Sequence, residues 1–177
     1  MKKNIIIISV LIVMAVLVFL GLRKDKGGQA NNIGNVGCQN IEVGDVKKQA
    51  QATENNAVQY ESTTKDVLGK STEGGKQTNY SSEGKNKLIK QIFFGETGKS
   101  EINYYLDSGK VFYFTKKNLE YILPLSQDST GKVKSVELNE FYLGSNQNLC
   151  SWYSNQQIQQ NTQEAKDTVK FLVSDLQ

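Results

Sequence analysis

The sequence contains no histidine. Its absence excludes Ser-His-Asp and Cys-His catalysis, imidazole general bases and most zinc sites, because each of these uses an imidazole nitrogen. Only two cysteines are present, Cys38 and Cys150, and they lie too far apart in the chain for a metal-binding spacing. No run of Asp and Asn matches a calcium-binding loop. We therefore predict neither a metal ion nor any other cofactor.

The chain has almost no net charge beyond its first 26 residues. Five of the 21 Lys and Arg residues and one of the 18 Asp and Glu residues lie in that N-terminal stretch, which leaves 16 against 17. A surface that binds nucleic acid needs a basic patch that neutralises phosphates. The sequence therefore predicts no nucleic acid partner.

Residues 1–26 have the pattern of a membrane anchor. Residues 5–22 form an apolar run with one serine, and Lys2 and Lys3 precede it. At about 1.5 Å per residue, a helix over this run spans about 27 Å, close to the thickness of the hydrocarbon core. We expect residues 5–22 to cross the lipid bilayer. Removal as a signal peptide is the alternative, but no small-x-small cleavage site directly follows the run.

The N-terminal pattern and the cysteines both place the rest of the chain outside the cytoplasm. A positive tail before an apolar core is typical of an export signal. A lone cysteine pair persists as a disulfide only in an oxidising compartment, which predicts a Cys38 to Cys150 bond. Two unpaired buried thiols are the alternative. We expect a single-pass protein of the cell membrane, with a flexible Gly- and Asn-rich linker at 27–37 and an extracytoplasmic domain at 38–177.

The middle of the chain has the composition of short β-strands. The aromatic and β-branched runs at 88–94, 101–106 and 110–115 are separated by Gly-containing turns. Parallel strands need crossovers of a dozen or more residues, so these short connections predict an antiparallel meander of six to eight strands. The other expected strands are 57–67, 76–81, 119–125, 132–143 and 148–153.

Apolar residues on both faces of the predicted sheet require a cover. Alternation places Ile102, Tyr104 and Leu106 on one face of their strand, and Val111 with Tyr113 on one face of the next. Apolar groups also fall opposite these, so the sheet must curl or be covered by a helix. An amphipathic helix is predicted from residue 155 onward, after a capping box at 154–157, and a weaker helical pattern covers 40–54. The predicted fold class is α+β: a transmembrane helix, then a β-meander packed on a C-terminal helix.

No motif identifies a catalytic site. The segment 95–100 ends in the Gly-Lys-Ser of a phosphate-binding loop, but it lacks the first glycine and precedes a strand, so a hairpin turn is predicted. Glu137 with Glu140, Glu96 with Glu101, or a Ser-Lys pair could act as acid and base or as nucleophile and base. An envelope hydrolase, or an enzyme accessory factor or inhibitor, is therefore the alternative function.

The aromatic side chains suggest binding. Tyr and Trp rings on an exposed sheet would stack on sugars or anchor a protein. Tyr105, Tyr142, Trp152 and Tyr153 are the best candidates because their neighbours are polar or turn residues, and packing in the core is the alternative role. We expect a noncatalytic binding or assembly module of the cell envelope, with an envelope protein or a glycan as its partner. A purely structural or inhibitory role is a further possibility.

Overall fold

The computed structural model describes residues 37–38, 41–174 and 176. These form two α-helices, α1 (Val43–Asn56) and α2 (Gln163–Ser174), and a short 3-10 helix at Ala57–Gln59. They also form eight strands: β1 (Glu61–Val67), β2 (Gly75–Ser82), β3 (Lys85–Gly95), β4 (Gly98–Asp107), β5 (Lys110–Tyr121), β6 (Val133–Leu143), β7 (Leu149–Ser154) and β8 (Gln157–Ile158).

The strands form one sheet in the order β1 to β8, and every neighbouring pair is antiparallel. This confirms the predicted antiparallel meander. The strand predicted at 110–115 and the first three residues of the strand predicted at 119–125 belong to one longer strand, β5, which ends at Tyr121. Gly95 pairs with Gly98 across the turn between β3 and β4, so the Gly-Lys-Ser sequence begins a strand, as predicted.

The two helices cover opposite faces of the sheet. Ala50 of α1 is buried in a cluster with tyrosines and Leu88, whereas Ala165 and Val169 of α2 are buried in a second cluster on the other side. Consecutive side chains of a strand point to opposite faces, so one sheet contributes side chains to two cores. The result is a helix, sheet, helix arrangement. The weak helical pattern at 40–54 corresponds to α1, and its apolar positions supply the cover for the second face.

Pairs of consecutive aromatic residues form a ladder of rings on each face. On the face that α2 covers, the ring centroids of Phe114 and Phe141 are 4.4 Å apart. On the face that α1 covers, those of Tyr113 and Tyr142 are 4.9 Å apart. Rings at such distances add stability beyond the area that they bury. The α2-face ladder is Tyr104, Phe114, Phe141 and Trp152, and the α1-face ladder is Tyr105, Tyr113, Tyr142 and Tyr153.

A β-bulge in β5 overturns one predicted face. Tyr105 pairs with Tyr113 but Leu106 pairs with Val111, so Phe112 is an extra residue. Val111 therefore lies in the α2-face cluster and Tyr113 in the α1-face cluster. The prediction that these two share a face is wrong, because strict alternation does not hold through a bulge.

The C-terminal helix is shorter than predicted. Asn155 and Gln156 have φ values of 47° and 69°, which turn the chain from β7 into β8 instead of starting a helix. The helix begins after Thr162, whose Oγ1 accepts a 3.2 Å hydrogen bond from the Ala165 amide. The predicted capping box at 154–157 is therefore wrong, and Ile158 is an exposed strand residue.

The predicted membrane span at 5–22 and most of the predicted linker at 27–37 lie outside the described residues. Among the residues that are described, no helix is both long and apolar enough to cross a bilayer.

Candidate functional site

A groove of about 640 Å³ lies on the sheet beside α2. Its floor is formed by β3 to β6, its wall by Phe171 and Leu172 of α2, and its end by the loop between β1 and β2, which contributes Lys70 and Ser71. We call this the α2 groove.

The α2 groove begins where the apolar pattern of four strands stops. Beneath α2, Ile89, Tyr104, Phe114 and Phe141 are aligned in register across β3 to β6. Four residues away on each strand, and on the same face of the sheet, a mostly polar row of side chains is aligned in register. Because α2 does not bury this row, its side chains form an accessible floor. The row consists of Phe93, Ser100, Asn118 and Glu137.

The polar row is joined by hydrogen bonds across three strands. The Ser100 hydroxyl donates to Asn118 Oδ1 at 2.9 Å, and Asn118 Nδ2 donates to Glu137 Oε2 at 3.1 Å. These bonds fix which end of the Asn118 amide faces each neighbour. The floor therefore offers hydrogen-bonding groups in a defined order.

A second row lies closer to α2 and adds a positive charge. Gln91 is buried, donates to Gln77 Oε1 at 2.8 Å and accepts from the Tyr104 hydroxyl at 3.3 Å. On the same face, Lys116 is half-buried and lines the groove. Among the described residues no carboxylate forms an ion pair with Lys116. Its ammonium is available to a ligand in the groove.

Glu120 lies at the far end of the groove, where it accepts hydrogen bonds from Lys134 at 2.7 Å and from Ser135 at 2.9 Å. These two bonds hold the pKa of Glu120 below its usual range, chiefly through the bond from Lys134. Glu120 is thus a carboxylate acceptor at neutral pH.

A glycine at the hairpin between β3 and β4 lets two strands approach closely under the groove. A Cβ atom on Gly98 would clash with the carbonyl oxygen of Leu119 on β5. Gly98 also lines the groove. Its lack of a side chain is therefore a steric requirement of this part of the floor.

Two of the four aromatic residues predicted to bind a partner are core residues. Tyr105 is 6% exposed and Tyr142 is fully buried. The Tyr105 hydroxyl donates to Glu54 of α1 at 2.9 Å. Burial raises the pKa of both phenols. This corrects the expectation for these two residues, because neither ring is at the surface. The residues directly before and after each of these tyrosines are buried in the cluster on the opposite face, and α1 covers the tyrosines themselves.

The other two aromatic candidates are half-buried ends of the ring ladders. Trp152 stacks on Phe141 and donates from its indole nitrogen to the Gln160 carbonyl at 3.0 Å. Tyr153 packs edge-on against Tyr142. A partner-binding role for Trp152 and Tyr153 stays a prediction, and neither lines the α2 groove.

The predicted disulfide is present. Cys38 and Cys150 are bonded with their Cα atoms 5.5 Å apart, and this bond ties the segment before α1 to β7. In the described part of the chain no cysteine is unpaired, so the alternative of free thiols is wrong.

The carboxylate pairs predicted as possible acid and base do not meet. Glu137 lines the α2 groove, whereas Glu140 is buried on the opposite face beside Tyr113. Glu101 is in an ion pair with Lys99 at 2.7 Å, and Glu96 accepts a hydrogen bond from Ser126 instead. Two carboxylates that the sequence did not pair, Glu120 and Glu137, share the α2 groove.

The sequence singled out Glu137 and the segment 95–100 for other reasons, but it did not bring the groove residues together. The only signal was the change from apolar to polar side chains at matching positions of β3 to β6, and it is visible only once the strand register is known.

Within the described residues no cluster of three or more Cys, Asp or Glu side chains is placed to hold a metal ion. No protein-family model, curated protein or solved structure matches this chain.

Proposed function

We propose that this chain is a membrane-anchored, extracytoplasmic binding module without catalytic activity, and that its α2 groove binds a glycan. The observation that carries the proposal is the hydrogen-bonded row of Ser100, Asn118 and Glu137 on the open half of a sheet face. The row lies beside the helix wall formed by Phe171 and Leu172.

Sugars fit this combination of groups. A sugar hydroxyl both donates and accepts hydrogen bonds, so it can bond a carboxylate or an amide oxygen on one side and an amide or ammonium hydrogen on the other. The groove offers Glu137 and Asn118 with Lys116 beside them. The C–H face of a sugar ring is apolar and would pack on Phe93 or on Phe171, whose side chain is 60% exposed.

A protein partner suits the groove less well. The centres of protein interfaces are depleted in charged residues and built around apolar or aromatic anchors. The floor of the groove instead carries Lys116, Glu120 and Glu137. A polar ligand with many hydroxyl groups satisfies these side chains, whereas an apolar anchor would leave them desolvated.

The geometry gives little support to the hydrolase alternative. Glycoside hydrolysis by two carboxyl groups needs one of them to be protonated near neutral pH. The pKa of Glu120 is shifted downward by the bonds from Lys134 and Ser135, which is the wrong direction for a general acid. The Ser100 hydroxyl in the groove donates its hydrogen bond to Asn118, so it does not form the Ser-Lys pair that a serine nucleophile would need.

Direct binding tests the proposal. Full-length protein in detergent is titrated by calorimetry with oligosaccharides of cellulose, of chitin and of uronic acids. We expect saturable binding of at least one class, and Asn118→Ala should weaken it about tenfold because two hydrogen bonds are disrupted. Glu83→Gln is the matched polar control, since Glu83 lies in the exposed turn between β2 and β3.

Two results would contradict the proposal. Either none of the oligosaccharides binds, or Asn118→Ala binds them as tightly as wild type. An increase in reducing ends during incubation would show hydrolysis and favour the catalytic alternative.

The location is tested separately with the cysteines. Intact cells are treated with a membrane-impermeant thiol reagent, before and after reduction, under native and then denaturing conditions. Labelling of Cys38 and Cys150 that appears only after reduction supports an extracytoplasmic domain. Labelling that needs no reductant but does need a broken membrane would place the domain in the cytoplasm.

A further inference from the structure

The two edges of the sheet differ in how their backbone groups are satisfied. At one edge lies the two-residue strand β8, and the rest of β7 is covered by the segment that follows β8: the Gln159 amide donates to the Trp152 carbonyl at 3.0 Å, and Asn161 Nδ2 donates to the Cys150 carbonyl at 2.8 Å. At the other edge, β1 pairs with β2 and, among the described residues, with no other strand.

The open edge is long and regular. The β1 strand has seven residues, of which the first six are exposed, and its pairing with β2 contains no bulge. Bulges, prolines, very short strands and charged side chains are the usual devices that stop an edge from adding a further strand. Bulges and prolines do not occur within β1 and the strand is not short, whereas its charged residues, Glu61, Lys65 and Asp66, restrict which strand can pair with it.

The charges of β1 are complementary to those of a second, antiparallel copy. When two antiparallel copies of β1 are related by a two-fold axis, the residue at the axis faces the same residue of the other copy. When Thr63 faces Thr63, Glu61 of each copy faces Lys65 of the other. When Glu61 faces itself, or Lys65 faces itself, like charges meet. When Ser62 or Thr64 faces itself, no opposite charges meet. Only the register centred on Thr63 makes two opposite-charge pairs.

Both charges are available for this pairing. Glu61 and Lys65 are exposed, and neither forms an ion pair with a described residue. Between these charged pairs, the cross-strand neighbours in this register, Ser62 with Thr64 and Thr63 with itself, are hydroxyl residues, which pair favourably across strands.

We propose that a second copy of this chain docks on the β1 edge, in antiparallel register centred on Thr63. The two sheets then become one continuous sheet through a β1 to β1 ladder. This inference is independent of the glycan proposal, because β1 does not line the α2 groove.

A charge-swap experiment tests this proposal. Full-length chains with two different tags are coexpressed and solubilised in mild detergent, and one tag is captured while the other is measured. Wild type should capture wild type. Glu61→Lys should capture its own copy about tenfold less, because the introduced lysine of each copy faces Lys65 of the other, and Lys65→Glu should fail in the same way. Glu61→Lys with Lys65→Glu should restore capture, since each lysine of one chain then faces a glutamate of the other.

The matched controls lie in α2. Glu164→Lys and Lys166→Glu make the same charge changes at exposed positions outside β1, and neither should alter capture. The proposal is overturned if wild type does not capture wild type. It is equally overturned if the two β1 variants capture their own copies normally, because association would then use another surface, or if combining them restores nothing.

Discussion

The Tyr113 hydroxyl donates a 2.7 Å hydrogen bond to Glu140 Oε1, and both side chains are buried on the face that α1 covers. Lys47 of α1 reaches the same carboxylate, with its Nζ 2.9 Å from Oε1. A second crossing ion pair joins Glu54 of α1 to Lys90 of β3 at 2.7 Å. Polar contacts with the sheet thus add to the apolar packing of Val46 and Ala50 in fixing the position of α1.

Removing the buried carboxylate should destabilise the domain. Glu140→Ala leaves the Tyr113 hydroxyl buried without its acceptor, which should lower the free energy of unfolding by about 1 to 3 kcal/mol. Glu137→Ala is the control, since Glu137 is an exposed glutamate on the same strand and should change stability by less than about 0.5 kcal/mol. Urea unfolding measures both. Equal effects of the two variants would contradict the role given to Glu140.

The buried tyrosines should make the fold sensitive to alkaline pH. Burial, with smaller effects of Glu54 and Glu140, raises the pKa of Tyr105, Tyr113 and Tyr142. Their phenols stay protonated in the folded state, whereas in the unfolded chain they ionise near a pKa of about 10. This stability is therefore present below about pH 10 and is lost above it, by up to about 1.4 kcal/mol per pH unit for each tyrosine.

The alkaline loss of stability is measured by urea unfolding at a series of pH values. Because lysines also titrate in this range, Tyr113→Phe is the informative comparison. It should flatten the slope of unfolding free energy against pH. A slope that Tyr113→Phe leaves unchanged would show that Tyr113 is not a source of the effect.

Reduction of the disulfide should cost much of the stability of the domain. The bond joins residues 112 apart. On the chain-entropy model, closing a loop of that length stabilises the folded state by about 4 to 5 kcal/mol. Urea unfolding with and without reductant measures the change. In the double variant Cys38→Ser with Cys150→Ser, reductant should have no further effect, and a large residual effect would point to another cause.

Two glycine substitutions should have opposite effects. Gly98→Ala should destabilise the domain by about 1 to 3 kcal/mol, because its Cβ would overlap the backbone of β5. Gly44→Ala should instead stabilise it by up to about 1 kcal/mol, since Gly44 lies in α1 with open space around it. Thermal unfolding of both variants compares them directly. Destabilisation by both would mean that α1 does not tolerate a side chain at Gly44.

Local sequence patterns were sufficient to predict the meander. Turn residues and β-branched runs lie next to each other in the chain, and each hairpin, such as that of β3 and β4, needs only near neighbours. The same local reasoning was wrong at 154–157, where residues with positive φ turn the chain into β8, and at Val111 and Tyr113, where a bulge reverses the alternation.

The candidate site needed information that one strand cannot supply. Lys116 and Asn118 look like the solvated end of a strand when β5 is read alone. Their place in the groove depends on the strand register, which sets Asn118 beside Ser100 and Glu137, and on where α2 stops covering the sheet. The buried positions of Tyr105 and Tyr142 depended likewise on α1, a helix with a weak apolar pattern.

The most direct test of the α2 groove is a chemical-shift titration. Isotope-labelled full-length protein is titrated with the oligosaccharide that binds best by calorimetry, and the shifts of backbone and side-chain amides are followed. If the α2 groove is the binding site, the largest changes fall on Gln91, Ser100 and Asn118, with the β1 edge and α1 unaffected. Changes centred instead on the opposite face, where Val136 is exposed, would contradict the groove as the binding site.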